Sequence, residues 1–329
     1  MESKRIDAFM RLVDDAGMTY PTTSSLRPAP PAALPSSLVT CGAPGGTWRM
    51  VLAMALSGTI GLLVVESGLP VLWVVWLRCL LGGLGLAAWL LWSGTWTRPS
   101  RREALWLLLG AAALIANWLC LFRAYAYSGI AIATVVYHVQ PFVLLLLAAV
   151  LQGAPLPLAR LPWLVLALVG VGLSSGLLEQ VATGAAQGAW QGMVLALLAA
   201  SLYAVATLTT QQLSRIAPAQ IAMLQMLAGA LALLPGVWAL RGQAVFSPQA
   251  WGAVAVLGLV HTAWMYTLMY TAFQRLPAQA IAGLSFIYPV VALLVDVLWF
   301  GARPQLSQWL GMALILGALW AYRRSARPA

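Results

Sequence analysis

Residues Val139–Gly153 read VQPFVLLLLAAVLQG, and residues Ile287–Gly301 read IYPVVALLVDVLWFG. Each run is apolar for longer than a soluble strand, and neither alternates apolar with polar residues. The strand pattern of a membrane barrel is therefore absent, and a membrane helix is the reading that remains. Aligned at an offset of 148 residues, the two runs superpose their prolines, Pro141 and Pro289. An apolar helix with an internal proline, written twice in one chain, points to a duplicated bundle.

The rest of the chain agrees. Of 329 residues, 62% are hydrophobic and 8% charged, and the mean hydropathy is +0.87. A soluble domain carries roughly 25% charge, so soluble, disordered, fibrous and disulfide-rich classes are excluded. The net charge of +10 raises a nucleic-acid reading. The arginines, however, stand singly or in short groups between apolar runs rather than on one basic face interleaved with aromatics. No nucleic-acid partner is expected. Cys41, Cys79 and Cys120 have no motif spacing and read as small apolar residues; no disulfide, metal site or cofactor is expected.

Residues 1–49 are rich in Pro, Ser and Thr and cannot bury enough apolar surface to order themselves. They read as a disordered cytoplasmic tail. With no apolar core of about 7–15 residues before Met50, they do not read as a signal peptide. Between turn signals, helices are expected at about 50–66, 70–92, 104–126, 130–151, 161–178, 189–210, 219–240, 251–272, 278–300 and 305–322. With a cytoplasmic start, ten crossings put 14 of the 18 basic residues inside and leave Arg241 and Arg303 outside. The positive-inside rule supports that path, with both termini cytoplasmic. Residues 323–329 form the second tail.

Two further echoes accompany the proline runs. Met50–Ala53 (MVLA) recurs at Met193–Ala196, and Leu77–Gly83 (LRCLLGG) answers Leu224–Ala230 (LQMLAGA), at offsets of 143 and 147. Residues 50–184 and 185–322 thus read as two five-helix repeats. Five is odd, so the second copy runs with opposite orientation, a pattern of transporters that hold solute near the midplane between the halves. The expected fold is an all-α integral membrane bundle of ten helices in two inverted repeats.

At this point the chain resembles the drug/metabolite transporter superfamily, EamA type, over about residues 50–322. The resemblance rests on the repeats, on the Arg of the second helix (Leu77-Arg78), and on the Pro motifs YHVQPF and SFIYPVV of the fourth and ninth helices. In one respect the chain departs: where the family carries Gly-Glu after those helices, this sequence has Gln152-Gly153 and Gly301-Ala302. The resemblance implies an export or exchange carrier of a bacterial cytoplasmic membrane.

His138 and His261 are the only histidines. At ~1.5 Å per residue both fall about 12–15 Å from the outer helix ends, near the middle of the hydrocarbon. Polar groups there face a bundle interior, either bonded to their neighbours or lining a cavity that binds solute or exchanges a proton. On helices that line the cavity in the resembled family, the cavity reading gains weight. Tyr137 and Gln140 flank His138 beside Pro141; Ser285 and Tyr288 flank Pro289. Asn117, Trp118, Tyr203 and Trp264 complete the candidate substrate set, and Pro141 and Pro289 are candidate hinges. Glu66, Arg78, Arg123 and Asp296 all fall in the outer half, as gate or coupling candidates, with Asp296 expected to pair with Arg78 or Arg123.

The expected function is secondary transport of small organic metabolites, amino acids or related solutes, outward by alternating access. No GxxxxGK[ST] loop supplies nucleotide energy. A membrane-embedded enzyme or a passive channel built on the same polar core is the alternative, but no HExxH or GxSxG accompanies the histidines. The partners expected are a small-molecule substrate and membrane lipid, with monomer or homodimer left open.

Overall fold

The computed structural model describes residues 44–182 and 190–325. The expected tail lies outside them up to residue 43, as do the junction 183–189 and the last four residues. Helix α1 (Pro44–Gly58) starts six residues before the expected position. Its first turn is held by packing: Gly46 lies against Leu276, and Arg49 bonds the Gly45 carbonyl.

A break at Thr59 leads into α2 (Ile60–Ser67), followed by α3 (Val71–Ser93) and α4 (Arg101–Tyr137). Ser100 and Glu103 start α4 with a reciprocal capping box, and the helix kinks at Gly129, whose φ of 73° suits glycine. Then come α5 (Gln140–Gln152), α6 (Leu161–Ser174) and the short α7 (Leu177–Ala182). The second half holds α8 (Trp190–Gln212), α9 (Pro218–Ala239) and α10 (Pro248–Gly258). A π-turn over Leu259–Trp264 runs into α11 (Met265–Arg275); α12 (Ala278–Leu284), α13 (Ile287–Leu298) and α14 (Leu306–Arg324) complete the chain.

All these elements are helical, and no strand occurs among the described residues. Eight segments are long and apolar enough to cross a membrane. α6, at 14 residues, is shorter, and the 19-residue α14 is not among the eight. Leu91 and Leu298 are more than four-fifths exposed, amid dozens of other exposed Leu, Val and Trp side chains. An outer surface this apolar suits lipid, not water.

Helix contacts repeat when the two halves are exchanged. α3 packs on its counterpart α9, and α6 on its counterpart α14. The α4–α8 contact is answered by α1–α11, α5–α8 by α1–α13, and α3–α10 by α4–α9. Such reciprocity is the mark of an isologous two-fold relation. It is closest where α6 crosses α14. A Cβ at Gly170 would lie 2.7 Å from the Gly311 carbonyl, and one at Gly311 would lie 2.6 Å from the Gly170 carbonyl. Only glycines allow the two backbones to touch in this way.

Bonds between helix ends sort into two sets. Glu66 accepts from Gln249 (2.7 Å) and from the Trp299 indole (3.1 Å), and the Trp73 indole donates to the Leu240 carbonyl (3.2 Å). At the opposite ends, Gln220 exchanges bonds with the Thr97 backbone (2.9 and 2.7 Å) and Arg160 donates to Gln279 (3.0 Å). There too the Tyr322 hydroxyl donates to the Gln279 carbonyl at 2.7 Å. Each set joins only ends that a ten-crossing path puts on one side of the bilayer.

Candidate functional site

The two proline runs break where the sequence marks them. His138 and Val139 separate α4 from α5; Ser285 and Phe286 separate α12 from α13. Pro141 and Pro289 each stand in the first turn after the break, where a missing N–H costs no helical bond. His138 and Phe286 are counterparts at the offset of 148, and their rings lie 6.1 Å apart. The broken segments of the two repeats therefore meet each other.

His138 is buried. Its Nδ1 lies 2.7 Å from the Thr134 carbonyl, so Nδ1 carries the proton of the neutral ring and Nε2 is left as an acceptor. The ring stacks on Tyr288 at 5.3 Å and 9°. Tyr137 meets Tyr203 at 6.2 Å, and its hydroxyl accepts from Asn117 Nδ2 (3.3 Å), which also donates to the Ala199 carbonyl (2.7 Å). Tyr203 in turn donates to Met269 Sδ at 3.3 Å. Among the described residues Asn117 Oδ1 is buried without a partner, as is Gln225 Nε2, although Tyr270 bonds the Gln225 oxygen. Orphaned buried polar atoms of this kind call for a ligand or a water. Trp118 and Gln140 are buried as well, and Ser285 donates to the Ala282 carbonyl at 2.8 Å.

His261 belongs to a second cluster, built on the π-turn. Its Nε2 lies 2.8 Å from the Thr59 hydroxyl and its Nδ1 3.4 Å from the Val256 carbonyl. Thr59 also lies 2.8 Å from the Leu56 carbonyl. With the hydroxyl proton on that carbonyl, the ring donates through Nε2. The wider π-turn aims Thr262 back five residues, where its hydroxyl donates to the Leu257 carbonyl (2.8 Å); its oxygen then accepts Arg78 Nε–H at 3.1 Å. The approach needs Gly82: a Cβ there would lie 2.6 Å from Thr262 and 2.8 Å from the Gly258 carbonyl.

The clusters adjoin through α1. Gly58 lies against the Tyr288 carbonyl, 2.9 Å from where its Cβ would stand, and Thr59 is the next residue. One end of the link is thus the His138–Tyr288 stack and the other the His261 bond. Two clefts are described in the structure. One, of about 320 Å³, is apolar and lined by Val135, Leu168 and Leu177 among others; the other, of about 300 Å³, is lined by Ser100, Arg102, Glu103, Trp106, Gln212 and Arg215. Neither histidine lines either cleft, and both side chains are buried.

Several expectations are corrected. The ion pair of Asp296 with Arg78 or Arg123 does not form. Among the described residues the one ion pair is Arg215 with Glu103 at 3.9 Å. Asp296 and Arg123 are exposed, whereas Arg78 is buried. Trp264 does not share the inward face of His261: it is 50% exposed, because the π-turn widens the angle between them. Glu66 is half-buried at a helix end, bonded to two side chains of the other repeat. Sequence reading missed Thr59 and Thr262. The signal for the first was present: Ser57-Gly58-Thr59 interrupts an apolar run with two hydroxyls and a glycine. No sequence rule announces the π-turn. Cys79 and Cys120 are unbonded, Cys41 lies outside the described residues, and no metal-ligating group of three is found among the described residues.

The EamA-like transporter family matches this chain twice, over residues 47–176 and 190–323. Two relatives from Bacillus subtilis (strain 168) are similar along most of their length. An uncharacterized transporter, YxxF, is 30% identical over 85% of this chain and 90% of its own. Another, YwfM, is 29% identical over 79% and 86%. A crystal structure 22% identical in sequence aligns with a TM-score of 0.73 over 83% of this chain and 96% of its own, and shares the fold. With matches on both repeats and a relative of that extent, the chain is a multi-pass membrane protein and belongs to the EamA-like transporter family.

Proposed function

We propose that this chain is a secondary carrier with ten membrane crossings in two inverted repeats, both termini cytoplasmic, in a bacterial cytoplasmic membrane. It moves small organic metabolites, amino acids or related solutes, outward by alternating access. The observation that carries this reading is the meeting of the two broken helices at His138 and Phe286. Non-helical backbone at membrane depth is tolerated where it lines a cavity or packs on protein, and carriers put their sites at such repeat interfaces. The orphaned atoms of Asn117 and Gln225 support a ligand there. α6 is short at about 21 Å, but α7 follows it directly, and the sorting of helix-end bonds favours ten crossings over eight.

Counterflow of labelled amino acids in proteoliposomes tests the reading. Saturable exchange is expected. Linear flux would mean a channel, and covalent change of the solute would mean an enzyme. Asp296, exposed and without an ion pair among the described residues, is our candidate for proton coupling; Asp296→Asn should flatten the pH dependence of exchange, and an unaltered profile removes it from that role.

The helix-end bonds also suggest which side is shut. Glu66 and Gln249 have repeat counterparts Gln211 and Glu103, at offsets of 145 and 146; Trp299 answers Leu151 at the offset of 148, and Gln152 follows that residue. The first trio is joined by two bonds to one carboxylate. In the second, Gln152 and Gln211 share a single long amide contact of 3.3 Å, and the cleft at Glu103 opens beside it. We therefore assign Glu66 as an outer latch. In a cysteine-free background, Glu66→Ala should raise labelling of a cysteine at Leu63 by an impermeant thiol reagent several-fold. Equal labelling in both backgrounds would sink the latch.

A further inference from the structure

Arg78 has no ion-pair partner among the described residues. It lies on α3 inside the bundle, only 9% exposed. Of the five N–H donors of a guanidinium, it spends one, Nε–H, on Thr262. Glu66, Glu103 and Asp296 are engaged or turned outward. Glu66 accepts from Gln249 and Trp299, Glu103 caps α4 and faces Arg215, and Asp296 is exposed with no ion pair. Taking a guanidinium out of water without a partner is strongly unfavourable, and arginine does not escape by losing its proton. The surroundings hold it in place rather than neutralise it. Thr262 is aimed by its π-turn bond to Leu257, and Gly82 lets α3 come close enough for contact. Arg78 is also within electrostatic reach of His261 and Tyr266. A fixed Nε with both Nη groups unspent offers an edge with two parallel donors, the geometry that a carboxylate matches with its two oxygens.

We propose that Arg78 is the anion-recognition residue of this carrier, and that the solute it takes carries a carboxylate, which docks on the free Nη edge beside His261. This rests on the carrier reading above and narrows it. A cationic or neutral solute would leave the guanidinium uncompensated, whereas a carboxylate supplies the missing charge in every loaded conformation. Thr262 is a positioning residue: it fixes the plane of the guanidinium without touching the solute.

The test uses the full chain in detergent and follows its unfolding temperature with common L-amino acids, simple monocarboxylates, the matched carboxamides and inorganic phosphate. At least one acid should raise the unfolding temperature, its amide should bind at least tenfold more weakly, and phosphate should not compete. Arg78→Lys keeps the charge but loses the planar fork, and should weaken the acid at least tenfold. Thr262→Val should weaken it several-fold and leave amide binding as it was. Where an Arg78 variant does not fold, the acid–amide comparison on the unaltered chain decides. Equal binding of acid and amide, no acid binding at all, or phosphate displacing the acid would each overturn the assignment. Counterflow run in parallel separates the two claims. Acid binding without exchange removes the carrier and keeps the carboxylate site. Exchange of neutral solutes that is indifferent to Arg78→Lys keeps the carrier and removes the site.

Discussion

His138→Phe is expected to lower exchange by one to two orders of magnitude while the bundle remains folded. Phenylalanine keeps an aromatic ring to stack on Tyr288 and to face Phe286, so the packing of the two broken helices survives. What disappears is the Nδ1–H bond to the Thr134 carbonyl and the free Nε2 acceptor. The carbonyl still accepts the His138 backbone N–H at 3.0 Å and is not orphaned. A solute N–H or O–H that met Nε2 would be stranded beside a buried side chain, at a cost of about 1–3 kcal/mol, which is roughly ten- to a hundredfold. Initial rates of counterflow, beside the unfolding temperature of the same preparation, check this. Unchanged rates would mean that the ring is structural packing only. His261→Phe, by contrast, should also cost stability, because it leaves the Thr59 hydroxyl with one partner fewer.

The second large effect concerns assembly. Gly311→Leu should destroy the α6–α14 contact and with it the folded bundle. A Cβ at 311 would lie 2.6 Å from both the Gly170 carbonyl and the Ser174 nitrogen. Those atoms are backbone and cannot turn aside as a side chain can, so the helices must separate along their length. Overpacking of this kind costs about 1–3 kcal/mol, and occasionally more, even where side chains can move. A fall of many degrees in unfolding temperature, or loss of monodisperse protein, is the expected result. Gly317→Leu on the same helix is the control, because nothing lies within 4 Å of its Cβ position. If both variants unfold alike, the effect belongs to helix propensity or lipid contact, not to the crossing of the halves.

Much of the fold was legible along the chain because lipid imposes a one-dimensional rule: a crossing helix must be a long apolar run. The run at Val71–Ser93 matched expectation to within a residue at each end, and the paired prolines marked both breaks. The site was legible only in part. That His138 sits at a break beside an aromatic pair follows from YHVQPF, since proline and polar residues inside an apolar run announce an interruption. That its ring stacks on Tyr288, 150 residues later, does not follow. The errors have one cause. Trp264 was put beside His261 by counting three residues on an α-helix, and the π-turn changed the count. Asp296 was matched to an arginine by depth alone, but depth says nothing about which way a side chain points around its helix.

From its sequence alone this protein was bound to be a membrane bundle of duplicated halves, because apolar length, basic-residue placement and repeat spacing are all properties of the chain read in order. Which polar groups meet was decided only in three dimensions. Arg78 and Thr262 are 184 residues apart, and their contact depends on Gly82, a widened turn and the rotation of two helices about their own axes. No local pattern encodes such an angle, because it is set by how side chains from both halves pack together.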